Sequence, residues 1–223
     1  MKGVFCMIKT KKSGSLIVIS GPSGAGKGTI VKELLKNPSY WLSISATTRE
    51  KRPKDVDGID YYFLTENEFL NKIENNEFLE YARVHSNKYY GTPKKPIIDK
   101  LEQGYDVILE IDIEGAKQIK NNYANAIFIF IVPPSMKELK RRLVNRNTES
   151  KEKILERFRT AYKEINEISK YNYVVVNDIV DNAVNKVNAI ISAEKCRVDR
   201  IVDVDLYNKE EEIHELLVEL NEN

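Results

Sequence analysis

A glycine-rich run near the amino end, Gly21-Pro22-Ser23-Gly24-Ala25-Gly26-Lys27-Gly28-Thr29, constrains this chain more than any other feature. It follows residues 15–20 (SLIVIS), a β-branched apolar run that reads as a buried strand, and it opens residues 27–36, where Ile30, Leu34 and Leu35 recur at helical spacing. Glycines at these positions let the backbone curl tightly and turn several N–H groups inward, which makes a nest for an anion. The helix behind adds the positive end of its dipole, and Lys27 adds a point charge for β- and γ-phosphates. Strand, loop spacing and helix together predict a site for a nucleoside triphosphate, which fits a kinase, an ATPase or a GTPase alike. In such loops the residue after the lysine usually carries a hydroxyl for Mg2+. Here it is Gly28, and the hydroxyl comes at Thr29. The expectation is that Mg2+ is held mainly by phosphates and water, with Thr29 as the side chain nearest to the task.

The rest of the chain continues the alternation. Residues 42–46, 106–112, 126–132 and 173–177 read as further strands. Helical patterns cover 114–122, 135–145, 150–170 and 181–195, the second opened by a capping box of Ser135 with Glu138. This order predicts an α/β fold of the P-loop NTPase kind, a mostly parallel sheet flanked by helices. Residues 47–95 break the rhythm with tyrosines, charges and turn residues around one helix, 66–75, and read as a small α+β insert. The resulting division is an N-terminal extension over 1–14, a core of 15–46 and 93–200, an insert over 47–92, and a C-terminal helix over 201–223. That last segment carries an apolar stripe of Ile213, Leu216, Leu217 and Leu220, with six glutamates between Glu210 and Glu222. It reads as a helix packing back on the domain, with a subunit contact as the alternative.

With 223 residues, 42% hydrophobic and 31% charged, the chain is able to bury a core beneath a charged surface. A net charge of +1 argues against broad attraction to nucleic acid or an anionic membrane, so any phosphate site must be a local cluster. Cys6 and Cys196 read as reduced thiols, and no apolar run is long enough to span a membrane. Residues 3–8 are too short for a signal-peptide core, so the cytoplasm is the expected compartment. Met7 reads as an alternative start, because recognisable structure begins near Ser15.

Further motifs accompany the loop: SATTREKR at 45–52, DGIDYYF at 57–63, FLEYA at 78–82, YYGT at 89–92, LEIDIEGA at 109–116, PPS at 133–135, RRLVNR at 141–146 and VNDI at 176–179. In order and spacing the set resembles the guanylate kinase family from residue 15 to about 195. The resemblance implies transfer of the γ-phosphoryl group of Mg-ATP to GMP or dGMP. It implies that Arg49 and Arg52, with the hydroxyls of Tyr61 and Tyr90, clamp the GMP phosphate, in keeping with the bidentate reach of guanidinium forks. It implies that Glu80, with Ser45, Thr92 and Asp112, reads guanine, whose N1–H and 2-amino group are adjacent donors for a carboxylate. The bland alternative for Glu80 is a surface charge at a helix end. Glu110 stands where many relatives carry Asp, and is assigned to the same nucleotide.

The resemblance also implies a helical lid at about 142–160, in which Arg142, Arg146 and Arg157 close on ATP, and a place for Asn177 near adenine. Without it, the lid arginines would read as a solvated charged helix. The implied nucleophile is a GMP phosphate oxygen, already ionised. No general base is then needed, which suits the plain surface contexts of His85 and His214. The expected partners are ATP and GMP, with no nucleic acid and no membrane, and the expected state is a monomer or weak homodimer. Two rivals stay open at this point: a kinase for AMP or dTMP, and a non-enzymatic scaffold that binds phosphorylated partners through the old acceptor pocket.

Overall fold

The structure is a computed structural model that describes residues 8–10, 13–84, 87–145, 151–204 and 217–218. Its strands are β1 (Ile8–Thr10), β2 (Leu16–Ser20), β3 (Tyr40–Leu42), β4 (Ala46–Thr47), β5 (Tyr62–Phe63), β6 (Phe78–Val84), β7 (Lys88–Pro93), β8 (Asp106–Glu110), β9 (Ile127–Val132), β10 (Tyr173–Val176) and β11 (Ile201–Val204). Its helices are α1 (Lys27–Leu34), α2 (Glu66–Glu74), α3 (Lys94–Glu102), α4 (Ile113–Asn122), α5 (Met136–Val144), α6 (Lys151–Ile165) and α7 (Val180–Lys195).

A five-stranded parallel sheet in the order β10-β9-β2-β8-β3 forms the core. β2 is buried along its whole length, as a strand covered on both faces must be. Its side chains alternate between two apolar layers. Ile17 and Ile19 join Ile30, Leu34, Val187 and Ile191 from α1 and α7. Leu16 and Val18 join Ile97, Ile119 and Phe128 on the other face, where α3 and α4 pack. From β2 the chain runs over β8 to β3, and from β8 it crosses back over β2 to β9, so the connections from these two neighbours run in opposite directions. The crevice at the carboxyl ends of these strands is where such sheets hold ligands.

Four further strands build a second sheet, β5-β4-β7-β6, between β3 and α3 in the chain. Phe69 of α2 fills its core, stacked on Phe78 and Tyr89 at 4.4 and 5.3 Å between ring centroids. α2 opens with a full capping box: Thr65 Oγ1 accepts from the Glu68 N–H at 3.2 Å, and the Glu68 carboxylate accepts from the Thr65 N–H at 2.7 Å.

Several sequence expectations need correction. Residues 42–46 are not one strand, because the chain changes sheets there. Leu42 pairs with Ile108 in the parallel sheet, whereas Ala46 pairs with Gly91 and Tyr62 in the other. The strand expected over 106–112 ends at Glu110, since Asp112 turns its carboxylate back to accept the Gly115 N–H at 2.8 Å and caps α4. The capping box at Ser135 is half made. Ser135 accepts from the Glu138 N–H, but the Glu138 carboxylate is held instead by Arg141 and Arg142, which pull its pKa down to about 2.

The helix expected over 150–170 stops at Ile165, and a 3-10 turn follows at Ile168–Lys170. The N-terminal extension is not featureless, nor is the tail helical from residue 201. Ile8–Thr10 and Ile201–Val204 pair as an antiparallel ribbon. Of the remaining tail, only Leu217 and Val218 are described, as helix with exposed side chains. Helix α3 was not foreseen. Pro96 lies in its first turn, where backbone N–H groups have no helical partner in any case.

Candidate active site

The phosphate loop runs from the end of β2 into α1. Gly26 takes φ 92° at the helix N-cap, a conformation that side chains disfavour. A Cβ there would also stand 2.3 Å from the Asn177 amide nitrogen. Asn177 is buried at the end of β10, and that amide donates to the Ala25 carbonyl at 2.7 Å. The Arg142 guanidinium shares the Ala25 carbonyl at 3.2 Å, donates to the Asn177 carbonyl at 3.0 Å, and is held by Glu138 at 2.8 Å. From α6, Arg157 donates to Ser23 Oγ at 2.6 Å, while the Ser23 N–H donates to the Glu164 carboxylate at 3.4 Å. Lys27 Nζ donates back to the Gly21 carbonyl at 2.5 Å. The loop is therefore braced by groups more than a hundred residues away. In this conformation Asn177 and Arg142 serve that brace. Arg146 lies outside the described residues, as do His85, His214 and Cys6; Cys196 is a free, exposed thiol.

The second sheet supplies the other wall. Antiparallel register sets Glu80 of β6 opposite Thr92 of β7. Glu80 is 8% exposed, so it is no surface charge, and it accepts from Thr92 Oγ1 at 2.5 Å. Burial pushes its pKa up to about 7; the Thr92 hydroxyl opposes this and the Asp112 charge adds to it. The two carboxylates meet over Gly115: a Cβ on that residue would lie 3.0 Å from Glu80 Oε2 and 3.5 Å from Asp112 Oδ1. Ser45 lies where the chain enters this sheet, its carbonyl accepting from the Tyr62 N–H at 2.9 Å.

Beside them, Tyr61 and Tyr90 meet edge to face at 5.8 Å between centroids. Arg49 lies over the Tyr61 ring at 5.3 Å and pairs with Asp55 at 2.8 Å. Asp55 also accepts the Arg52 N–H at 2.8 Å, so one carboxylate positions both arginines' segment. The side chain of Arg52 is exposed.

Glu110 joins the two halves. It ends β8 with its carboxylate 3.5 Å from where a Gly28 side chain would begin. Burial pushes its pKa up and the Lys27 ammonium draws it down. Its own charge is the smallest of the influences that raise the Tyr61 hydroxyl, behind burial, Tyr90 and Asp55. Glu110 thus lies at the junction of loop and second sheet, whereas Asp112 is the one that reaches Glu80. The end of β8 thus brings the loop, at Gly28, near Glu110, and Asp112 two residues on near Glu80.

The model of the family described as guanylate kinase matches residues 13–194. The chain belongs to the guanylate kinase family. It is 60% identical over 204 residues to a guanylate kinase of Clostridium acetobutylicum, covering 92% of this chain and 97% of that one. A guanylate kinase of Clostridium tetani is also 60% identical, over 206 residues, covering 92% and 99%. The crystal structure of guanylate kinase from Anaplasma phagocytophilum superposes with a TM-score of 0.72 at 32% identity, covering 89% and 94%. Guanylate kinases catalyse ATP-dependent phosphorylation of GMP.

Three residues near this guanylate kinase crevice escaped the sequence reading. Asp55 and Glu164 are two acids among many. Gly115 lies inside a quoted motif, but its closeness to Glu80 follows only from the packing of α4 on β6. Among the described residues no cluster of three or more acidic, His or Cys side chains forms a metal cage, and no helix is long and apolar enough to cross a membrane.

Proposed function

We propose that the chain transfers the γ-phosphoryl group of Mg-ATP directly, in line, to a phosphate oxygen of GMP or dGMP. One observation supports this reading: β8 ends with the Glu110 carboxylate 3.5 Å from where a Gly28 side chain would begin, and Asp112, two residues on, stands with Glu80 over Gly115, so donor loop and acceptor wall meet at the end of one strand. Residues 21–29 bind the triphosphate, with Lys27 on its β- and γ-oxygens. Asn177, whose amide holds the loop at Ala25, lies near the adenine of ATP. Arg49, Arg52, Tyr61 and Tyr90 hold the GMP phosphate. Glu80, with Ser45, Thr92 and Asp112, accepts the guanine donors.

The acceptor oxygen is ionised at neutral pH, so no side chain has to remove a proton. Lys27, Arg142, Arg157 and Arg146 position the reactants and neutralise charge. The residues fit a phosphate-borne Mg2+. Thr29 is exposed at the loop, and Glu110 brings one carboxylate beside the neighbouring Gly28, suiting an ion that keeps most of its water. When bound, Mg2+ supplies further charge neutralisation between the phosphates.

Adenine offers no 2-amino group and presents a lone pair at N1, so it would leave the buried Glu80 unpaired. A site of that kind rejects the wrong base by about 10⁴-fold. In this reading residues 47–92 are the acceptor module, residues 15–46 and 93–200 the core, and 142–160 the lid. The chain works in the cytoplasm as a monomer or weak homodimer, with ATP and GMP as its partners. A coupled ADP-release assay with Mg-ATP and GMP, dGMP, AMP or dTMP tests the proposal. Turnover confined to GMP and dGMP is expected; comparable turnover with AMP or dTMP overturns it.

A further inference from the structure

Helix α6 turns one face to the phosphate loop. Ala161 is fully buried there against Leu139 and Leu143 of α5. Arg157 and Glu164 stand four residues before and three after it, which puts all three on one stripe. The two flanking side chains converge on a single loop residue. Arg157 takes the Ser23 hydroxyl at 2.6 Å, and Glu164 takes the Ser23 N–H at 3.4 Å. Glu164 also lies in the field of the reacting groups: burial pushes its carboxyl up, the Ser23 N–H and Lys27 draw it down, and Asp112 pushes it up again. A carboxylate therefore lies against a loop whose inward N–H groups and lysine are suited to phosphate oxygens.

We propose that Glu164 is a built-in surrogate for a nucleotide phosphate, a positioning residue whose carboxylate holds the Ser23 rim of the loop until an ATP phosphate displaces it. Two anions cannot share one donor at hydrogen-bond distance without strong repulsion. Arrival of the triphosphate therefore has to move Glu164, and with it the α6 stripe that also carries Arg157. The carboxylate keeps the Ser23 N–H satisfied while competing with ATP for it. It also couples phosphate binding to the position of the lid. The inference rests on the assignment of ATP to this loop.

Glu164→Gln tests the charge without changing the size, since the amide oxygen still accepts from Ser23. The measurement is calorimetric binding of Mg-ATP to the full chain, with GMP binding and the melting temperature as controls. The surrogate role predicts a Kd for Mg-ATP lowered by about fivefold, with GMP binding and melting unchanged. Inorganic tripolyphosphate should gain by the same factor, because the effect lies at the phosphates. Unchanged or weaker Mg-ATP binding by Glu164→Gln makes the residue a plain latch and overturns the inference. Lys27→Ala in the same titration separates the two readings. If it leaves Mg-ATP binding intact, the loop assignment itself fails. If it weakens binding while Glu164→Gln brings no gain, only the surrogate role fails.

Discussion

The two walls of the crevice are built on opposite electrostatic plans. On the donor wall the loop's main contacts are made by the chain itself: Ala25 with Asn177 and Arg142, Ser23 with Arg157 and Glu164, Lys27 with Gly21, although the buried Asn177 Oδ1 has no partner. On the acceptor wall a buried carboxylate, Glu80, has one short hydrogen bond, a like charge nearby and a pKa pushed up to about 7. The donor wall is pre-organised for any triphosphate. The acceptor wall stores an unfavourable charge that a ligand with two adjacent donors relieves. Generic phosphate binding can rest on a finished scaffold, while selectivity among bases requires a site that is unsatisfied until the right base arrives.

The contrast can be broken most violently at Gly26. Gly26→Ala forces a side chain onto a left-handed backbone and into the Asn177 amide. The expected loss in kcat/KM is about 10³-fold or more, with Mg-ATP binding lost in calorimetry and GMP binding retained. Next comes Glu80→Ala, which should raise the KM for GMP about 10²-fold and leave Mg-ATP affinity unchanged. A parental KM for GMP would mean that Glu80 does not read the base.

A third test turns the stored charge into stability. The folded chain holds a proton on Glu80 up to about pH 7, whereas an ordinary glutamate has lost it above 4.5. Stability must then fall as pH rises through that window, because the folded state binds more protons there. Glu80→Gln removes the penalty. Denaturant unfolding at about pH 8 should show it roughly 2 kcal/mol more stable than the parent, an advantage that vanishes at about pH 4. The smallest effect is expected at Asp55, whose pair with Arg49 is partly solvated. Asp55→Asn should raise the KM for GMP only about two- to threefold, since such pairs contribute modestly.

What could be read in the sequence followed from locality. The loop, its strand and its helix occupy one short stretch, and the buried strands announce themselves as apolar runs. Residues 42–46 misled because their alternation continues unbroken while the chain passes from one sheet to the other. Lys94 and Lys95 before Pro96 look like a turn, yet they open a helix. The braces were invisible for a different reason. Asn177 and Ala25 are 152 residues apart, and Arg157 and Ser23 are 134 apart. Glu164 looks like any other charge on a charged helix until the fold delivers it to Ser23. The assignments of Glu80 and Thr92 as partners have a simple basis in register, because they face each other across β6 and β7. Sequence reasoning grouped them through family resemblance alone.

The central claim is that the acceptor wall holds Glu80 in tension and guanine relieves it. Carboxyl-carbon NMR of the full chain measures this directly, with the Glu80 resonance assigned by its loss in Glu80→Gln. Free protein should titrate with a midpoint of about 7. With saturating GMP the carboxylate should stay ionised to below about pH 6, because two donors now favour the charged form. A midpoint in the ordinary glutamate range without ligand, or one that GMP leaves unmoved, would contradict the account.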